Sequence, residues 1–254
     1  MSKILYKYKP LDEYTMKIIE SGELYFPSAS QLNDPDEQEF PDYDLSELTD
    51  ENIFRKIYDM AKELYPDYSE NDLLLFAKDR QKEGWLFDEE NREKTKQFIQ
   101  DELMQKVGIF SLTTENNNPL MWEKYADNYS GICIGFDKFV LQNTIHVIES
   151  SVRYENSPKR NLFDSPEEWY MKMLSTKSTD WEYENEYRML KLDSAYKTFT
   201  IPLEGIVEVI FGHSIQKDKK EKMITIIGKN NPQCRIYDIK YEESIVEIIA
   251  LSKN

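Results

Sequence analysis

Apolar and polar positions alternate, cluster and break along this chain in ways that predict a mixed fold. "ILYKY" near the start reads as a short apolar-aromatic strand. "LDEYTMKIIESG" places Leu11, Tyr14, Ile18 and Ile19 at helical spacing, with Gly22 set to end the helix in a left-handed conformation. "ELYF" is a second strand, stopped by Pro27, and "PSASQLNDPDE" is a loop whose Ser, Asn, Asp and Pro favour turns. A helical region follows over about residues 51–106. Its first helix is amphipathic through Ile53, Phe54, Ile57, Tyr58, Ala61 and Leu64. Ser69 with Asp72 resembles a capping box for a second helix, and "NREKTKQFIQDELMQK" supplies a third.

Strands dominate afterwards. "VGIFSLT" is apolar enough for a central strand, and Asn118 with Pro119 opens a short helix. "GICIGFD" and "HVIESSVRY" are further strands, and Ser165–Pro166 marks another helix start. The rest predicts strands near 181–192, 196–201 and 205–211, a helix from Ser214 to about Ile227 stopped by Gly228, and strands near 233–241 and 244–250. The expected class is α+β: one domain with a mixed, largely antiparallel sheet, flanking helices and a helical insertion at about 37–106.

In the stretch "TDWEYENEYRML" the alternation carries chemistry. Read as a strand, it sets Glu182, Glu184, Glu186 and Arg188 on one face and Trp181, Tyr183, Asn185, Tyr187 and Met189 on the other. The plain reading is a solvated outer face of alternating charge. The sharper one is a carboxylate held ionised by Arg188 for acid–base work. The loop after "ELYF" offers Ser28, Ser30, Asn33 and Asp34 at a strand end, although an Asn-Asp-Pro turn accounts for most of it. From Asp34 to Glu51 there are nine acids and no Lys or Arg, a composition expected of a solvated connection.

Composition narrows the classes. Across 254 residues, acids outnumber bases 48 to 32, for a formal charge of −16, so the surface as a whole repels phosphate backbones and nucleic acid is disfavoured as a general partner. No apolar run is long enough to cross a membrane, and "MSKILYKYKP" lacks a signal peptide's apolar core; a cytoplasmic protein is expected. Two cysteines, Cys133 and Cys234, give neither a disulfide framework nor zinc-ligand spacing. Only His146 and His213 are available for histidine chemistry, and neither has a motif partner; both are expected to be structural. Dinucleotide-binding, phosphate-loop and nucleophile-elbow motifs are missing from the sequence.

Several segments together are more specific than any of these features. "LYKYKPLDEYTMKIIESGELYFPSASQLNDPDE", "GIFSLTTENNNPLMWEKYADNYSGICIGFD", "KSTDWEYENEYRML" and "IVEVIFGHSI" occur in the order that resembles the bacterial domain-of-unknown-function family 2971. The resemblance implies a cytoplasmic protein from a setting of mobile and phage-defence genes. At the level of fold, the chain is also similar to ADP-ribosyltransferases, in which an Arg or His on the first strand grips NAD, an aromatic or Ser lies on a later strand, and a Glu holds the ribose. That likeness implies NAD or a related nucleotide as cofactor. Glu186 or Glu184 would be the glutamate, with Arg188 orienting it; Tyr25 with Ser28 would fill the middle role, and Asn33 would join the cofactor-binding residues. The first strand has neither Arg nor His, so Tyr6, Lys7 or Tyr8 would substitute. Two other readings stand beside it. One is a non-enzymatic sensing or interaction module whose acidic surface meets a protein partner. The other is a metal-dependent nuclease using Asp34, Glu184 and Glu186.

Overall fold

The computed structural model describes residues 4–32, 43–84, 88–90, 92–94, 97, 106–156, 159, 161–164, 171–242 and 245–251. Chain contacts divide it into two compact units: Met1–Gln31, Lys106–Val152 and Thr179–Asn254 form one, and Leu32–Gln105 with Arg153–Ser178 the other.

The first unit is built on an eight-stranded sheet. Its strands are β1 (Ile4–Lys9), β3 (Gly108–Thr113), β4 (Ile132–Asp137), β5 (Ile148–Ser151), β8 (Glu186–Lys191), β10 (Ile206–Phe211), β11 (Arg235–Glu242) and β12 (Ile245–Ala250). Their order is β12-β11-β10-β4-β1-β3-β8-β5. Only β10 and β11 run parallel among these neighbours; the other pairings are antiparallel. The fold class is therefore α+β. A separate pair joins β2 (Glu23–Phe26) to β9 (Lys197–Thr200).

Period-two alternation gives this sheet two different faces. One carries Leu5, Phe110, Ile132, Ile134, Phe136, Met189, Val209 and Phe211, and packs with helices α1 (Glu13–Ser21), α5 (Lys138–Ile145) and α6 (Lys217–Asn230) through Ile18, Leu141, Met223 and Ile227. The other brings Tyr8, Cys133, Ile210 and Ile239 against Trp122 of helix α4 (Pro119–Tyr125). Helix α1 ends as its sequence predicts, at Gly22 with φ 71°.

The second unit contains α2 (Asp50–Leu64) and α3 (Glu70–Lys82), packed through Ile53, Ile57, Ala77 and Leu162, and a parallel pair β6 (Arg153–Tyr154) and β7 (Thr176–Lys177). The Ser69–Asp72 capping box is present.

Several expectations are corrected. The strand expected from 181 starts only at Glu186; Thr179–Glu184 is a 3-10 helix, and Asn185 turns the chain at φ 43°. Helix α6 starts at Lys217 and runs through Gly228 to Asn230, because a single helical glycine costs only about 1 kcal/mol and Met223 and Ile227 anchor the helix by burial. His146 does not lie in a strand; it caps α5, which sequence patterning left unpredicted, at φ 57°. Residues 43–51 are not an open connection: Asp44 caps a 3-10 turn, Glu47 accepts from the Asn161 amide and the Leu162 N–H, and Thr49 caps α2. The remaining acids of that stretch, most of the expected third helix and the helix start at Ser165 lie outside the described residues, as do Asn33 and Asp34.

Candidate functional site

The site begins where the central sheet parts. Among the described residues β1 and β3 share a single registered pair, Tyr6 with Thr113. In an antiparallel strand, alternate residues aim both backbone groups at the same neighbour. Thr113, Ser111 and Ile109 therefore aim theirs at β1, yet each meets a different partner. Thr113 faces Tyr6. The Ser111 carbonyl accepts from the Lys7 ammonium at 2.6 Å, and the Ile109 N–H donates to the Pro27 carbonyl at 2.8 Å. The end of β2 and the Lys7 side chain thus take bonding positions on β3 that β1 leaves.

Burial sets the electrostatics there. Lys7 is half-buried, with its ammonium over the Phe110 ring at 4.6 Å from the centroid. Desolvation, helped by the like charge of Lys9, pushes its pKa down to about 7, while Glu186 and Glu184 pull it back up. Tyr6 and Tyr8 have phenols pushed well up, mainly by burial; Tyr6 donates to Glu208 at 3.0 Å and Tyr8 to the Glu115 carbonyl at 3.1 Å.

The acidic row is not a solvated face. Glu182 is exposed, but Glu184, Glu186 and Arg188 are all buried. Glu186 receives two hydrogen bonds from Arg188, Nε to Oε1 and Nη2 to Oε2, both at 2.9 Å. Glu184, on the preceding 3-10 helix, accepts from the Tyr125 hydroxyl. That helix is tied down from afar: Asn118 Nδ2 donates to the Tyr183 carbonyl at 2.7 Å, and Asn185 Nδ2 donates to Glu115 at 2.8 Å. Holding an ion pair out of water seldom adds net stability, and removing one partner costs about 3–5 kcal/mol. A buried carboxylate whose orientation is fixed by a forked guanidinium is suited to stabilising positive charge that develops on a bound substrate.

Register places the sequence-predicted residues along β3. Glu186 and Tyr6 lie opposite Thr113, Lys7 reaches Ser111, and Pro27, next to Ser28, meets Ile109. From Ile109 to Thr113 is four residues, about 13 Å of strand. Ser28 is fully buried and donates to the Tyr196 hydroxyl at 2.9 Å. Tyr25 is exposed on β2 and bonds Gln31 at 2.9 Å, apart from these positions. Asn33 lies outside the described residues. Tyr125 packs against the cluster of Tyr8 and Trp122, and its hydroxyl's partner, Glu184, is set by tertiary structure. Glu115 and Asn185 carried no signal at all. Among the described residues no group of three or more His, Cys, Asp or Glu side chains is placed to hold a metal ion, and Asp34 of the nuclease reading lies outside them.

No curated protein and no solved structure matches the chain. Residues 121–189, the segment that runs from α4 to β8 and carries Tyr125, Glu184, Glu186 and Arg188, match a family described as "Protein of unknown function (DUF2971)". Over that segment, about a quarter of its length, the chain is similar to the DUF2971 family.

Proposed function

We propose that the protein is an ADP-ribosyltransferase-like enzyme that binds NAD or a related nucleotide where β1 and β3 part. The observation that carries this reading is a buried, Arg-oriented glutamate, Glu186, whose charge acts on the first-strand cation Lys7 across β3. Lys7 supplies the positive group that the likeness requires of the first strand, in a position filled by Arg or His in that family. A protonated Lys7 attracts the ligand's phosphates. Glu186 holds the ribose as positive charge grows at its anomeric carbon, and Arg188 keeps that carboxylate aimed. Ser28 follows Pro27, which meets β3 at Ile109.

Thermal unfolding of the protein with and without millimolar NAD tests this reading. A dissociation constant of tens of micromolar adds about 2 kcal/mol by mass action, a rise of about 4–8 °C for a chain of this length. The expected result is such a rise in the wild type and its loss in Glu186→Gln. Lys7→Met provides a second variant should the buried Glu186 substitution fail to fold. A wild type unmoved by NAD, ADP-ribose and nicotinamide overturns the proposal and leaves the buried pair as a structural device.

A further inference from the structure

The second unit presents aromatic surface at the turn between α2 and α3. Leu64, Tyr65 and Tyr68 are exposed to 66%, 37% and 46% of their full area. The presentation is rigid. The Tyr65 N–H bonds the Ala61 carbonyl at 2.8 Å, Pro66 fixes the next backbone angle, and the Tyr68 N–H returns to the Tyr65 carbonyl at 3.1 Å. The two phenol rings stack with centroids 4.8 Å apart and planes 19° from parallel, and Tyr65 also leans on Phe76 at 5.4 Å. Aromatic rings already held in one geometry lose little further freedom on binding, which favours them as interface anchors.

Charge says what such a surface fits. From Lys62 to Lys78 there are four acids, with one lysine at each end of the stretch. Asp72 is engaged in capping Ser69, which leaves the exposed Glu63, Asp67 and Glu70, each within two residues of Tyr65 or Tyr68 in sequence. Carboxylates beside the negative faces of stacked rings attract a cation that is itself flat enough to stack, and a guanidinium satisfies both demands. The same unit makes this contact twice internally, with Arg80 over Phe76 at 5.4 Å and Arg55 over Phe163 at 5.0 Å. We propose that the Glu63–Glu70 turn is a docking surface for a basic, arginine-bearing polypeptide segment, with arginine stacking on Tyr65 and Tyr68 and an apolar side chain resting on Leu64. The assignment is independent of the nucleotide reading.

Fluorescence anisotropy tests it on the full chain, using a short labelled peptide alternating arginine and glycine and a lysine–glycine twin, at about 0.15 M salt so that distant charges are screened. The arginine peptide is expected to bind more tightly than the lysine twin. Tyr65→Ala with Tyr68→Ala should weaken it about tenfold, the scale of a desolvated cation–π contact. Neutralising Glu63, Asp67 and Glu70 as Gln, Asn and Gln should weaken it as well. Tyr68→Ser leaves the Tyr65–Phe76 contact intact and serves if the double variant does not fold. A chain of charge −16 attracts any polycation, so equal binding by wild type and tyrosine variants overturns the proposal. So does the absence of binding to the wild type.

Discussion

At Ser111 the carbonyl that aims toward β1 meets an ammonium instead of a ladder amide, because β1 has turned away beyond Tyr6. Lys7 therefore does a backbone donor's work, and it does so half-desolvated, with its pKa down at about 7. In the unfolded chain the same group titrates near 10.4. Between about pH 7 and 10 the unfolded state thus binds more protons than the folded one, so stability attributable to Lys7 rises with pH across that window and is flat below it. Urea melts of wild type and Lys7→Met at several pH values between 6 and about 9.5 should show this slope in the wild type only. An equal slope in both would mean that Lys7 keeps an ordinary pKa. Sequence named Lys7 as one of three first-strand candidates and could go no further: alternation puts it beside Leu5, and nothing local announces that its strand splays. Glu186 and Arg188 were legible as a pair. Their burial was not, since alternating charge looks the same on a wet face as on a covered one.

Helix and strand boundaries divide according to whether their cause is local. Gly22 and Gly228 both read as helix stops, but only the first is one. Gly22 sits at φ 71°, and a Cβ there would lie 2.2 Å from the Ile201 carbonyl oxygen, whereas a Cβ at Gly228 would meet nothing within 4 Å. Gly22→Ala should therefore lose about 2 kcal/mol or more, from backbone strain and the clash together. Gly228→Ala should gain about 0.5–1 kcal/mol, the helical preference of alanine over glycine. Denaturant midpoints measured on both variants check the opposite signs. The caps at Ser69 and Asn118 were legible for the same local reason: each side chain bonds a backbone N–H within three residues. The 3-10 helix at 179–184 was not. Its aromatics repeat every second residue like a strand, and one of the groups that holds it, Asn118 against the Tyr183 carbonyl, is 65 residues away in sequence.

For the whole molecule, composition and element types sufficed for an α+β class, while strand order did not follow from them; nothing in the first nine residues says that β1 will lie between β4 and β3. That order matters because β1 is joined to β4 over six registered pairs and to β3 over one. The sheet is, in effect, two leaves sharing one rung, with a common apolar core along one side. Hydrogen exchange should reveal the join: the amides of Tyr8 and Ser111, which aim into the gap, are expected to exchange faster than those of Lys7 and Leu112, which aim at β4 and β8. Uniform protection across the four would refute it. A molecule lodged along the gap would touch both leaves at once, stitching them where the backbone does not. Its mark would be slower exchange appearing together in β4 and β8, two strands that share no hydrogen bond.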